Sequence, residues 1–425
     1  MPDRSTRLRS IVGGSAGNLV EWYDWYAYSA FALYFASAFF PGDNRTLELL
    51  NTALVFAIGF LVRPIGGWLM GVYSDRHGRK AGLTLSVTLM CAGSLAIALT
   101  PTYAQIGAAA PVILTLARMA QGLSLGGEYG ASATYMAEMA GRRRRGFWSS
   151  FQYVTLIGGQ LTALALLVLL QSLLTEAQLD AWGWRIPFAI GGLLAVVVFW
   201  LRRRLVETES FRNARTAGLP RSGALTLCRD HPREAVTVMT LTAGGTLAFY
   251  AYSIYMQKFL ANTSGFSRET ASGIMTAALL VFMLLQPAMG ALSDRIGRKP
   301  LLVGFGVLGL LCTWPAFVAL EQVQSPAAAL AIVIGLLVVN SGYSAISGVV
   351  KAEMFPAHIR ALGVAFPYAV ANALFGGTAE PLALWLKSTG WERGFYLYVS
   401  LVIGVSLVTY LRMPDTRVHS RIVED

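Results

Sequence analysis

The sequence predicts an all-α polytopic membrane protein with 12 transmembrane helices in two six-helix halves. The first observation is composition: 55% of the 425 residues are hydrophobic, 13% are charged, and the mean hydropathy is +0.53. These values exclude an ordinary soluble domain. The second observation is a set of twelve apolar segments, each reaching the ~20 residues that a helix needs to cross a bilayer. The third is a long motif that occurs once in each half.

The apolar segments are separated by connections whose charge alternates. The segments cover approximately residues 11–40, 50–73, 82–100, 110–138, 147–172, 183–202, 235–260, 270–292, 301–320, 326–350, 361–386 and 393–412. Basic residues concentrate in every second connection, at 76–80, 142–145, 202–233, 295–299 and, with Lys351, at 351–360. The positive-inside rule places these connections and both termini in the cytoplasm. The net charge of +11 follows this pattern, so we expect contact with the lipid bilayer and no nucleic-acid partner.

Internal repetition predicts how the segments are grouped. The loop GVYSDRHGRK at residues 71–80 recurs as GALSDRIGRK at 290–299, and AEM at 137–139 recurs as AEM at 352–354. A duplicated six-helix unit explains both, and such folds place the substrate at the midplane between the halves. We therefore predict an N-terminal half at 1–202, a cytoplasmic linker at 203–234, and a C-terminal half with a short cytoplasmic tail at 235–425.

Two arginines inside the predicted spans suggest an anion site. Arg63 lies roughly 18 Å into the bilayer at ~1.5 Å per residue, and Arg118 lies in the fourth span. A buried arginine costs at least ~2.5 kcal/mol unless it is compensated. Because a guanidinium binds a carboxylate through two parallel hydrogen bonds, the pair suits a small dicarboxylate. The alternative is permanent pairing of each arginine with an acid, such as Arg118 with Glu128 or with a first-span carboxylate.

Embedded acids suggest a proton site. Glu21 and Asp24 are three positions apart and share one face of the first span, and Glu128 is embedded in the fourth. Two close carboxylates in a low dielectric cannot both ionise easily, which suits groups that load and release protons. We expect proton coupling at these residues, with Asp24 ahead of Glu21. The alternative is that one acid neutralises Arg63 while the other caps local backbone.

Further polar residues in the spans could complete the substrate site. Lys258 lies one helical turn from Tyr255 in the seventh span, although its ammonium could instead reach the outer surface. The other candidates are neutral side chains that could donate or accept hydrogen bonds. They are Tyr252, Gln152, Tyr153, Gln160, Tyr368 and Asn372. Tyr153 and Tyr368 occupy corresponding points of the repeat.

Charged residues at the cytoplasmic ends of the spans predict a gate that closes the inner mouth. Pairs among them can hold one state of a two-state element. They are Asp75, Arg76, Arg79, Asp294, Arg295, Arg298, Glu138 and Glu353. The basic run at 142–145 is interpreted as an anchor at lipid headgroups. The three cysteines are far apart and predict neither a disulfide framework nor a metal site.

Several motifs resemble one transporter family. The repeated G-x-x-x-D-R-x-G-R-K loop and the R-x-x-Q-G sequence at 118–122 resemble the major facilitator superfamily, and GNLVEWYD at 17–24 resembles its metabolite:proton symporters. The stretches SATYMAEM at 132–139, SFQYVTLIGGQ at 150–160 and KAEMFPAHIRALGV at 351–364 are similar to the α-ketoglutarate permease branch of that family.

This resemblance implies a major facilitator fold and proton-coupled uptake of α-ketoglutarate across the bacterial inner membrane by alternating access. We expect a monomer that is not an enzyme, with no cofactor and with the proton as coupling ion. No GxxxxGK[ST] motif occurs, so ATP is not the expected energy source. Two alternatives stay open. One is the same fold carrying shikimate, citrate or an osmolyte, and the other is a transporter-like metabolite sensor.

Overall fold

A helix occupies each of the twelve predicted segments in the computed structural model, which describes residues 4–77, 79–203, 224–356 and 359–422. The N-terminal half contains α1 (Arg4–Phe39), α2 (Arg45–Leu61), α3 (Arg63–His77), α4 (Arg79–Leu99), α5 (Tyr103–Ile106), α6 (Ala109–Met139), α7 (Arg145–Ser149), α8 (Phe151–Leu173), α9 (Glu176–Ala181) and α10 (Ile186–Arg203). The C-terminal half contains α11 (Ala224–Asp230), α12 (Pro232–Phe249), α13 (Met256–Asn262), α14 (Arg268–Ile296), α15 (Arg298–Gln322), α16 (Pro326–Glu353), α17 (Arg360–Ala371), α18 (Ala379–Ser388) and α19 (Arg393–Arg412).

Eight helical stretches of the described chain are long and apolar enough to cross a membrane. They correspond to the second, fifth and seventh to twelfth predicted spans. The first, third, fourth and sixth segments are also helical, as α1, α4, α6 and α10. No strand occurs among the described residues. The predicted linker lies mostly at 204–223, outside the described residues, so the division into halves at 203–234 stays a prediction.

Three spans are irregular near the middle of their length. The second span breaks at Val62, between α2 and α3, because Pro64 follows at the second position of α3 and lacks a backbone N–H. The seventh contains the π-helical segment Tyr250–Tyr255, and the eleventh contains Asn372–Gly376. Irregular backbone at membrane depth is tolerated where it is buried in protein or lines a cavity, and π-bulges are common at functional sites. The breaks therefore surround a candidate site.

Glycines bring the second and fourth spans into backbone contact. A Cβ atom at Gly122 would lie 2.0 Å from the carbonyl oxygen of Gly59, and one at Gly126 would lie 2.1 Å from that of Arg63. Small residues allow membrane helices to approach this closely. The contact fixes the backbone of Arg63 against the helix that carries Arg118.

Substituting Gly122 tests this contact. We expect Gly122→Ala to reduce stability by about 1–3 kcal/mol, because its methyl group must displace backbone atoms in a packed interface. Thermal unfolding of the purified protein in detergent measures the effect. Gly273→Ala is the matched control, since nothing lies within 4 Å of a Cβ atom at that helical position. Equal melting temperatures for the two variants would contradict the close approach.

Candidate functional site

Both predicted arginines pack against the ring of Trp25, within the N-terminal half. The guanidinium carbons of Arg63 and Arg118 lie 4.1 Å and 3.9 Å from the Trp25 ring centroid. Arg63 also lies 4.1 Å from the ring of Phe60, and Arg118 lies 4.4 Å from that of Tyr28. A desolvated cation over an aromatic face gains about 2 kcal/mol or more. The aromatic rings thus stabilise two buried cations side by side.

Arg63 has hydrogen-bond donors that no described residue satisfies. Its side chain is 3% exposed, and its Nε and Nη2 atoms are buried without a hydrogen-bond partner. No carboxylate of the described residues forms an ion pair with it, although the Tyr250 hydroxyl interacts with its guanidinium. The Nε and Nη2 atoms lie on one edge of the guanidinium, which is an edge that a carboxylate can bind through two parallel hydrogen bonds. Arg63 is therefore suited to a carboxylate that comes from outside the chain.

Arg118 differs because an amide links it to the first-span acid. Its Nη1 atom donates to Gln121 Oε1 at 2.6 Å, and Gln121 Nε2 donates to Asp24 Oδ2 at 2.7 Å. Asp24 also accepts a hydrogen bond from Ser94. The predicted alternative of an Arg118 pair with a first-span carboxylate is thus present in an indirect form. Its own Nε and Nη2 atoms are buried without a partner.

Asp24 lies in a small polar pocket formed by four spans. Its side chain is fully buried between Ser94 of the third span, Gln121 of the fourth and Gly191 of the sixth. A Cβ atom at Gly191 would lie 2.1 Å from Asp24 Oδ1, so only glycine admits the carboxylate there. Glu21 is also buried on the same helix. The side chain of Glu128 lies outside the described residues.

Lys258 forms an ion pair inside the C-terminal half and a hydrogen bond to the N-terminal half. Its Nζ atom lies 2.9 Å from Glu380 Oε1 and donates to Ser29 Oγ at 2.7 Å. The ammonium is fully buried, so the expected alternative in which it reaches the outer surface is wrong. A lysine that is already neutralised by Glu380 is less available to a substrate carboxylate than Arg63.

The neutral candidates separate into two groups. Tyr252 shares a hydrogen bond of 2.5 Å with Thr313, and Tyr255 donates to Glu392 at 3.4 Å, so both hydroxyls already have partners in the C-terminal half. The others line the interface between the halves. Gln152 donates to the Tyr129 carbonyl, Gln160 donates to the Ser253 carbonyl, Tyr153 packs on Phe249, Tyr368 stacks on Tyr129, and Asn372 interacts with Tyr250.

Lys351, which the charge pattern predicts to lie in a cytoplasmic connection, is a buried cation. That placement is wrong, because Lys351 lies within α16 with no exposed surface. The helix extends to Glu353, one turn further than the predicted segment. A lysine close to the basic loops fits the positive-inside rule, so the charge pattern assigns it to the cytoplasmic connection. A usable signal was present: Asn340, Ser344, Ser347 and Lys351 recur every three or four positions, which marks a polar helix face.

The predicted inner gate is closed in this structure. Asp294 of the C-terminal half accepts hydrogen bonds from the backbone N–H groups of Gly146 at 2.8 Å and Phe147 at 2.9 Å, in the N-terminal half. Arg298 pairs with Asp294 at 2.9 Å and with Glu353 at 3.5 Å. These three predicted gate residues therefore form one network across the halves.

Two assignments at this end differ from expectation. Arg145, predicted as a headgroup anchor, is 2% exposed and lies 3.9 Å from Glu353, inside the gate network. Arg295 is exposed and makes no ion pair with any residue that the structure describes. The side chains of the other four predicted gate residues lie outside the described part of the chain. They are Asp75, Arg76, Arg79 and Glu138.

The opposite end of the interface is also bridged. Arg268 of the C-terminal half pairs with Asp180 at 3.0 Å and with Glu176 at 3.2 Å. Asn262 donates to Thr46 at 3.4 Å. Since both ends are bridged while Arg63 and Arg118 are buried between them, the conformation is occluded.

Comparison with known proteins identifies the family. A family model described as "Sugar (and other) transporter" matches residues 11–218 and 221–421. The chain belongs to this transporter family. It is 54% identical over 411 residues to alpha-ketoglutarate permease of Escherichia coli K12, covering 97% of this chain and 94% of the permease.

More distant relatives differ in their substrates. The citrate-proton symporter of Klebsiella pneumoniae is 33% identical, with 95% of this chain and 92% of the symporter covered. The proline/betaine transporter of Salmonella typhimurium LT2 is 32% identical, with 96% and 83% covered. Membership of the family therefore does not by itself identify which substrate a member transports.

Solved structures confirm the predicted major facilitator fold. The xylose transporter XylE from E. coli, in a partially occluded inward open conformation, superposes with a TM-score of 0.78 at 19% identity. The match covers 97% of this chain and 98% of that protein. XylE bound to 6-bromo-6-deoxy-D-glucose, described as a major facilitator superfamily proton:xylose symporter, superposes with the same TM-score of 0.78 at 18% identity, covering 99% of this chain and 98% of that protein.

Removing the charge of Asp294 tests the gate network. We expect Asp294→Asn to shift the protein toward the inward-open state by roughly tenfold, because charge-assisted hydrogen bonds of ~1.5–3 kcal/mol are weakened in the closed state alone. The probe is Ser150→Cys, a buried position beside Gly290, after replacement of the native cysteines. Its alkylation rate in inside-out vesicles measures opening. The neighbouring exposed variant Arg295→Gln should leave the rate unchanged, and equal rates for both variants would contradict the gate.

Proposed function

We propose that this protein takes up α-ketoglutarate by proton symport across the bacterial inner membrane. The observation that carries the proposal is Arg63, a buried cation whose Nε and Nη2 atoms have no hydrogen-bond partner among the described residues. The 54% identity to an alpha-ketoglutarate permease supports this substrate. The protein works as a monomer with both termini in the cytoplasm, and it needs no cofactor and performs no enzymatic reaction.

Substrate binding begins at Arg63. One carboxylate binds the Nε and Nη2 edge through two charge-assisted hydrogen bonds, while Trp25 and Phe60 hold the guanidinium plane. Tyr250 of the seventh span interacts with Arg63, and Asn372 of the eleventh interacts with Tyr250, so both can supply neutral hydrogen-bond groups. The broken second span sets the guanidinium at this point, since Arg63 is the first residue of α3.

Proton coupling is proposed at Asp24. When the carboxyl is ionised, Gln121 and Ser94 donate to it, and Gln121 also accepts from Arg118. Protonation of Asp24 removes the anion that orients Gln121, so it changes the contacts of Arg118 in the same step. A dianion that enters against a negative-inside potential is opposed by ~2.3 kcal/mol per charge per 100 mV, and two protons would offset this. Glu21 on the same helix is the second acid in the proposal.

Alternating access then opens the ion pairs at the two ends of the interface in turn. The Asp294, Arg298 and Glu353 network opens inward, and the Arg268 pairs with Glu176 and Asp180 open outward. Asp294 and Glu353 contact the N-terminal half through Gly146, Phe147 and Arg145, and Arg268 contacts it through Glu176 and Asp180. Binding in the centre and gating at the ends are thus carried by different residues.

Uptake of a substrate panel tests the function. Proteoliposomes with an inward-directed proton gradient should accumulate labelled α-ketoglutarate, with citrate, shikimate and betaine accumulated far less. The alternative substrates rest on the citrate-proton and proline/betaine relatives. Accumulation of one of these in place of α-ketoglutarate would overturn the substrate. A sensor would show no counterflow with any of them.

Arg63→Ala is expected to weaken α-ketoglutarate binding by at least 30-fold, because truncating one partner of a buried hydrogen-bonded charge pair costs ~2–5 kcal/mol. Calorimetric titration of the purified protein measures the affinity. Arg393→Ala, which removes an exposed pair with Glu321, is the control and should bind as the parent does. Near-normal affinity in Arg63→Ala, with a normal melting temperature, would exclude the substrate role.

Asp24→Asn is expected to abolish pH-driven accumulation while retaining exchange. Asparagine still accepts a hydrogen bond from Gln121 but neither binds nor releases a proton, so coupling is lost and alternation continues. Labelled α-ketoglutarate uptake with and without a pH gradient, and counterflow without one, separate the two activities. If the variant accumulates substrate as the parent does, coupling lies elsewhere, and Glu21→Gln identifies whether the neighbouring acid performs it.

A further inference from the structure

Lys351 is a buried cation that no acid of the described chain neutralises. Its Nζ atom donates to Ser347 Oγ at 2.7 Å and lies 3.4 Å from the Tyr129 hydroxyl, and no described carboxylate forms an ion pair with it. The side chain has no exposed surface. A buried ammonium with only hydroxyl partners is costly unless an anion joins it. In the same half, Lys258 already has such a partner in Glu380.

Aromatic rings connect Lys351 to the arginine site. Lys351 Nζ lies 4.3 Å from the ring centroid of Tyr368 and 5.3 Å from that of Tyr129. These two rings are stacked with centroids 3.5 Å apart across the halves. Tyr368 also interacts electrostatically with Arg63. Tyr368 is therefore a shared neighbour of a cation from each half.

We propose that Lys351 binds the second carboxylate of the substrate, opposite Arg63. This inference rests on the proposed function and assigns the specificity for a diacid. A diacid held by Arg63 of the N-terminal half and Lys351 of the C-terminal half links the halves directly. A monoacid would fill only one of the two cation sites and would leave the other ammonium or guanidinium buried without an anion.

Arg118 is the competing second anchor. Its Nη1 atom is held by Gln121, which is itself bound to Asp24, so it lies in the proton-binding pocket. It also lies on the same half as Arg63, and a diacid bound to both arginines would contact one half alone. Lys351 forms no ion pair with an acid that the structure describes, and it lies on the other half. These contacts favour Lys351 for the second carboxylate.

The test compares a diacid with a monoacid of equal chain length. Purified parent protein, Lys351→Met and Lys351→Arg are titrated with α-ketoglutarate and with 2-oxopentanoate, which lacks the distal carboxylate. The parent should prefer the diacid by at least 30-fold. Lys351→Met should bind α-ketoglutarate as weakly as 2-oxopentanoate while its affinity for 2-oxopentanoate changes less than threefold. Lys351→Arg should keep most of the preference, because it keeps the charge.

The remaining outcomes overturn the inference in distinguishable ways. An equal loss of affinity for both ligands in Lys351→Met would show a structural role in the tyrosine cluster. An unchanged preference in that variant, with loss of preference in Arg118→Gln, would assign the second carboxylate to Arg118. Failure of the parent protein to bind α-ketoglutarate would remove the proposed function and this inference together.

Discussion

The burial of Arg63 against Trp25 and Phe60 is the constraint on which the rest of the structure depends. Aromatic faces stabilise a cation without neutralising it, so the guanidinium keeps its affinity for an anion. The break at Val62 sets Arg63 at the start of α3, and glycine contacts to the fourth span hold that backbone in place. A helix without the break, or a fourth span with larger side chains, would move the cation away from the interface.

Charge is distributed differently at the ends and at the centre of the interface. At both ends, basic groups meet acids across the halves, as Arg145 meets Glu353 and Arg268 meets Asp180. In the centre, Arg63 and Lys351 have hydroxyl and aromatic neighbours in place of acids. Pairs at the ends satisfy each other in the closed state, whereas in the proposed mechanism the central cations are satisfied by a substrate. In that mechanism, this difference couples occupancy of the centre to closure of the ends.

The helices and the position of Arg63 inside the second span could be predicted from local sequence, because hydropathy and spacing report these directly. Contacts between residues that are distant in the sequence could not be predicted in this way. Gln121 lies 97 positions from Asp24, and Glu380 lies 122 positions from Lys258, so neither contact follows from spacing. Lys351 and Arg145 were misplaced for a related reason. A basic residue near a cytoplasmic loop satisfies the positive-inside rule equally well whether tertiary packing exposes or buries it.

An experimental structure with α-ketoglutarate bound would show whether Arg63 binds the substrate. We expect one carboxylate within hydrogen-bonding distance of Arg63 Nε and Nη2, the chain of the substrate beside Tyr368, and no protein acid on that guanidinium. A substrate bound elsewhere, or an Arg63 that stays paired with a protein carboxylate while the substrate is bound, would contradict this expectation.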